Sequence, residues 1–91
     1  METSKYEVTS TMRGGSYDDA IKVRGERLYG LNQRRVYRAI VDGDCHQVWQ
    51  IRIHLGKFDW MPVYSVDQIS SALQGLRRKG LVEFNCKWDA V

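Results

Sequence analysis

Asp67, Gln68, Ser71, Gln74, Gly75 and Arg78 stand one and three residues apart along one stretch of the chain. At about 100° per residue, that spacing puts them on one side of an α-helix. Their chemistry is hydrogen-bond recognition, not bond-making. Glutamine bonds bidentately to adenine, arginine to guanine and serine to either, and short side chains let a helix enter a major groove. A plain solvated face is the competing reading, but such a face more often carries the strong helix formers Glu and Lys than Ser, Gly and Gln.

Bond-making chemistry has no comparable set. Cys45-His46, His54 and Cys86 include no pair with CxxC or HxxxH spacing, so no zinc site is expected. Gly14-Gly15 lacks the Lys-Ser/Thr and helix that a phosphate-cradling loop needs. Asp18 and Asp19 are adjacent, so on regular structure their carboxylates diverge. His46 reads as a surface or capping residue, and the tryptophans and tyrosines as packing residues. No enzyme and no cofactor are expected.

The element that carries the polar face is well specified. Ser65 followed by Gln68 is a capping box. Val66, Ile69, Leu73 and Leu76 line the other side of the helix. Gly80 stands where a left-handed C-cap is wanted, behind Arg77, Arg78 and Lys79 in the last turn. Leu81, Val82 and Phe84 then begin a strand. Asn85-Cys86-Lys87 can turn, and residues 88–91 return as a second strand, with Trp88 packing on the domain and Lys87 at the tip. That tip can reach a phosphate or a minor groove.

Two further helices are expected upstream. The first runs from Asn32, its N-cap, to Val41, with Val36, Ala39 and Ile40 as its apolar stripe and Gly43 closing it. Arg34, Arg35 and Arg38 lie on or beside its exposed side, either as phosphate contacts or as a solvated basic face. Residues 48–55 satisfy two patterns. Trp49, Ile51, Ile53 and Leu55 alternate as in a strand, whereas Val48, Ile51 and Leu55 recur as in a helix. A cap at Asp44, a capping box completed by Gln47, and Gly56 as C-cap favour the helix. That helix stacks Trp49 and Ile53 on a second apolar face, which the N-terminal residues or a second subunit should cover. The connector over 57–64 is long and carries Pro62, the chain's single proline.

Residues 1–30 differ from the rest. Tyr6, Val8, Ser10 and Met12 alternate as in a strand, and Arg13-Gly14-Gly15-Ser16 is a turn. Residues 16–22 fit one helical turn, or residues 21–28 a strand pairing back on 6–12. No internal repeat or low-complexity tract occurs.

Ninety-one residues, 43% apolar and 27% charged, make one ordinary small domain. The apolar runs are too short to span a bilayer, and no secretory leader follows Met1-Glu2. Two cysteines suit buried thiols better than a disulfide in an intracellular domain. The net charge of +3 is unevenly spread. Residues 1–30 hold five Lys/Arg and five Asp/Glu, but residues 31–91 hold nine and six. All of the excess lies with the helices, as suits a nucleic-acid-facing surface.

A capped helix running through a basic last turn and a glycine into a strand resembles the recognition helix and first wing strand of winged-helix DNA-binding proteins. The resemblance covers residues 31–91. It implies an α+β winged helix-turn-helix, three helices plus a short β-wing, behind a β-containing N-terminal extension over 1–30. It also implies a small transcriptional or genome-maintenance regulator that reads duplex DNA through residues 65–79. Gln68, Ser71, Gln74 and Arg78 would face bases; Arg34, Arg35, Arg38, Gln47 and Lys87 are the further DNA contacts. One short helix buries too little surface for high specificity, so a homodimer is expected. A cytoplasmic or nucleoid-associated protein of a phage, plasmid or microbe would fit. The alternative is a winged-helix protein-interaction module within a larger complex, favoured by the second apolar face, the short wing and the modest charge. RNA binding is a weaker third reading.

Overall fold

The computed structural model describes residues 6–10 and 16–91. In chain order it contains β1 (Glu7–Ser10), a 3-10 turn (Ser16–Asp18), β2 (Ala20–Val23), β3 (Glu26–Arg27), α1 (Leu31–Val41), α2 (Val48–Leu55), α3 (Val66–Arg78), β4 (Val82–Phe84) and β5 (Trp88–Ala90). It is a small α+β domain of three helices and two antiparallel sheets, one of order β1-β2-β3 and one of β4-β5.

The first sheet follows from alternation and turn chemistry. Val8 lies opposite Ile21 and Glu7 opposite Lys22, with a register shift between Val8 and Ser10. Arg24 and Gly25 have φ of 55° and 81°. Positive φ at both central positions is what a two-residue hairpin needs. Both readings of residues 16–28 are partly realised, as a 3-10 turn and then a strand pairing back on β1. The strand expected over 6–12 and the turn over 13–16 fall partly on residues 11–15, outside the described residues.

The N-cap of α1 lies two residues earlier than expected. Gly30 is its N-cap and makes no side-chain cap bond. Asn32 lies inside the first turn, where its Oδ1 accepts from the Tyr64 hydroxyl at 2.7 Å; a tertiary bond occupies the side chain that would have capped. Val36, Ala39 and Ile40 are buried as expected.

Residues 48–55 form a helix, but Asp44 does not cap it. Gln50 folds back to accept from the N–H groups of His46 and Gln47, at 2.8 and 3.1 Å. Gln47 is the N-cap. Asp44 stands upstream with φ of 53°, and its carboxylate bonds His46 instead. Ile51 and Leu55 enter the core.

α3 has both of its expected ends. The Ser65 hydroxyl accepts from the Gln68 N–H at 3.1 Å, and the Gln68 amide oxygen accepts from the Ser65 N–H at 2.9 Å. At the other end the Gly80 N–H reaches the Arg77 carbonyl and the Leu81 N–H reaches the Leu76 carbonyl, at 2.9 and 3.0 Å. This is a complete Schellman pair around Gly80, whose φ is 76°. Two assignments to faces change. Val66 is half exposed, and Gly75 is buried rather than on the polar face. α3 is covered from two sides, by α1 and α2. Its buried arc therefore widens to include Ala72 and Gly75, and the Gln33 side chain lies over Gly75.

The core joins Val36, Tyr37, Ile51, Leu55, Ile69, Leu73 and Leu76 to Tyr17, Ile21, Val23 and Leu28. The second sheet is the expected hairpin: Phe84 pairs with Trp88 across a turn in which Cys86 has φ of 64°. Trp88 is buried, and its N–H donates to the His46 carbonyl at 2.8 Å. That bond docks β5 on the loop between α1 and α2.

Candidate nucleic-acid interface

α3 holds one arc free of the fold. Asp67, Ser71, Gln74, Arg77 and Arg78 are exposed. None of their side chains has a hydrogen bond or ion pair among the described residues. Asp67, Ser71, Gln74 and Arg78 lie opposite Ile69, Leu73 and Leu76, which are fully buried, and Arg77 flanks that stripe. The core sets the helix's rotation, the capping box and Schellman turn set its ends, and the outward row is left for a ligand. Gln68 is exposed too, although its amide oxygen is committed to the cap. Lys79 extends the row but donates to the Gln33 amide at 2.7 Å.

The wing turn lies beyond the helix. Lys87 is exposed, and its only ion pair among the described residues is a loose one, 3.9 Å from Asp89. Such a surface contact contributes little and gives way readily to a stronger anion. Gln47 sits lower: its amide donates to the Cys86 carbonyl at 3.2 Å. Its role here is to brace the wing turn against the start of α2.

No family model, curated protein or solved structure matches this chain.

The arginines of α1 require correction. The sequence places Arg34, Arg35 and Arg38 on or beside an exposed side; the structure buries Arg35 and Arg38. Arg35 bonds both carboxylate oxygens of Asp18, at 2.7 and 3.0 Å, and the Tyr64 hydroxyl at 2.7 Å. These partners drive the Arg35 pKa still higher, so it stays protonated. Arg38 pairs with Asp42 at 3.1 Å and Asp19 at 3.7 Å, and lies 4.7 Å from the Tyr6 ring centroid. Arg34 donates to the carbonyls of Leu28 and Tyr29. The physical reason is the N-terminal segment, whose acids cover that side of α1. A helix read alone shows three cations; in the fold two of them are neutralised.

Arg52 was not singled out by sequence reasoning. It is exposed on α2 and donates to the Tyr64 carbonyl at 3.1 Å, directly before the α3 cap. Its only sequence signal is a lone cation in the apolar run VWQIRIHL. Its neighbourhood depends on the α2–α3 connector, which spacing does not determine.

His46 links the wing to the helices. Its Nδ1 lies 2.9 Å from Asp89 and 3.0 Å from the Trp88 carbonyl, and its Nε2 lies 3.0 Å from Asp44. A neutral imidazole carries one N–H, whereas the cation has two and suits acceptors on both sides. The Trp88 carbonyl, then the two aspartates, raise its pKa above the usual 6.5. His54 behaves oppositely: burial lowers its pKa, and its Nε2 lies 2.7 Å from the Tyr17 hydroxyl. Burial also pushes Tyr17 up to about 12. Among the described residues, no group of three or more His, Cys, Asp or Glu is placed to hold a metal.

Trp49 and Ile53 remain 61% and 57% exposed. The described residues of the N-terminal segment do not cover them, contrary to one of the two expected covers.

Proposed function

We propose that the protein binds duplex DNA through α3, as a winged-helix regulator does, with Gln74, Ser71 and Arg78 toward the base edges and Lys87 toward the backbone. The observation that carries this reading is the outward row of α3, uncommitted to the fold and bordered by Arg77 and Lys79. The element order α1, α2, α3, β4, β5 supports it, because a wing follows the candidate recognition helix. The surface cations of this reading are Arg52, Arg77, Arg78, Lys79 and Lys87, with the buried arginines of α1 removed from it.

A protein-docking role is the second reading, favoured by the uncovered Trp49 and Ile53. Fluorescence anisotropy with labelled duplexes separates the two. Folded protein at tens of micromolar and low salt should bind random duplex DNA, because non-specific affinity is typically about 10⁻⁴–10⁻⁶ M. On a selected site, Gln74→Ala or Arg78→Ala should cost about 1–3 kcal/mol, and much less on random DNA. Both side chains are exposed, so the thermal midpoint should not move. Equal losses on both DNAs would reduce α3 to an electrostatic surface. No binding at all would leave the docking reading.

A further inference from the structure

We infer that the turn between β2 and β3 is a second contact to the duplex backbone, its Arg24 holding a phosphate beside the C-terminal end of α3. The contact presupposes that α3 binds duplex DNA, and it adds an element outside the helices and the wing. Arg24 lies 56 positions before Gly80 in the chain, yet its Nη1 donates to the Gly80 carbonyl at 3.3 Å. That places the hairpin tip beside the run Arg77, Arg78 and Lys79 that ends α3. A second approach fixes the same geometry. Lys79 reaches the Gln33 amide on α1 at 2.7 Å, and Tyr37 stands one turn along that helix. Burial raises the Tyr37 pKa and the Arg24 charge opposes the rise, so Arg24 and Lys79 stand over the same side of α1.

Charge and backbone both mark the site. Arg24, Arg77, Arg78 and Lys79 are exposed, and none has an ion pair among the described residues. Glu26, the acid just beyond the turn, makes none either. Like charges gathered at one end of a helix repel one another, and a bound anion relieves that repulsion. The helix dipole accounts for cations within the last turn of α3, but not for one brought from another sheet. The guanidinium has five N–H donors, and the Gly80 carbonyl occupies one of them in a long, exposed bond. The others leave the planar fork that grips a phosphate. Arg24 also has φ of 55°, in a two-residue turn whose central positions favour Asn, Asp and Gly. The fold does not itself require an arginine in that left-handed conformation, because asparagine would turn there more easily. Phosphate contact gives the side chain its use.

Anisotropy titrations of a labelled random-sequence duplex over a salt series test this. Arg24→Asn removes the charge and leaves Asn-Gly, the pair that such a turn prefers, so the thermal midpoint should hold or rise. Its DNA affinity should fall roughly five- to tenfold at about 0.1 M salt, with the log–log salt slope shallower by about 0.9. A selected site should show the same loss, because a phosphate contact carries no sequence information. Arg24→Lys should restore the slope, since an ammonium still neutralises a phosphate. Lys57→Ala removes an equal charge beside Trp49 and should leave the slope alone. A parent chain that binds DNA while Arg24→Asn binds it equally well would overturn this contact and leave the α3 reading standing. So would an Arg24→Asn variant that loses thermal stability but keeps the parent slope, which would make Arg24 only a tether for the hairpin. An equal change of slope in Lys57→Ala would reduce the effect to net charge and overturn it too. A parent chain that binds no DNA would overturn the α3 reading and this contact together.

Discussion

Replacing Arg35 with alanine separates a structural arginine from a DNA-contacting one. Arg35 is 7% exposed. It makes two hydrogen bonds to Asp18 and one to Tyr64, at 2.7, 3.0 and 2.7 Å. Removing one member of a buried pair typically costs about 3–5 kcal/mol, because the other charge is left uncompensated. The Asp18 side chain is 23% exposed, so water recovers part of its solvation. The expected loss is therefore at the lower end, about 3 kcal/mol. In a domain of this size that corresponds to a fall of about 12–24 °C in thermal midpoint. Urea unfolding followed by circular dichroism gives the free energy. Asp18→Asn with Arg35→Ala should cost less than the sum of the single changes, because both break the same pair. A surface pair is worth at most about 1 kcal/mol. A loss that small, together with a DNA salt slope lowered by about one phosphate contact, would refute the burial argument and restore Arg35 to the interface.

Other perturbations have equally definite outcomes. Gly43→Ala should destabilise by about 1–3 kcal/mol in urea unfolding, since a Cβ there meets the Ala39 carbonyl and the His54 ring, both at 2.7 Å. His46 should make stability fall with rising pH. Its folded pKa lies above 6.5, so its contribution is complete below that value and lost as pH climbs through the folded one. Thermal midpoints should therefore drop as pH rises past 6.5 in the parent chain and lose that component in His46→Gln. His54 has the opposite sign: its folded pKa is lowered, so its contribution is complete above 6.5 and fades on acidification.

Local signals in the sequence proved sound wherever local physics decides the outcome. The capping box at Ser65, the stripe of Ile69, Leu73 and Leu76 and the left-handed Gly80 are all realised, because each depends on contacts within a turn or two. The wing hairpin follows for the same reason, whereas Trp88 is buried because β5 docks on the distant loop between α1 and α2. The failures involve residues that contact distant parts of the chain. Asn32 gives up its cap to a hydroxyl thirty-two positions away. Arg35 and Arg38 look like surface cations until Asp18 and Asp19 fold over them, and no periodicity within α1 reports that. Gly75 leaves the polar face because α1 closes on that side of α3. The outward row of α3 was legible in part: Ser71, Gln74 and Arg78 stand where the spacing places them, whereas Arg52 joins the same region only through the long connector.

The central claim is that α3 and the wing turn meet duplex DNA. The most direct measurement is a ¹H–¹⁵N correlation spectrum of the labelled protein titrated with a short random-sequence duplex at low salt. Shift changes should concentrate on Asp67, Ser71, Gln74, Arg78 and Lys87, and weaken together as salt is added. The indole signals of Trp49 and Trp88 should stay in place. A spectrum that does not respond to DNA, or one whose changes centre on Trp49 and Ile53 while α3 stays silent, would contradict the account.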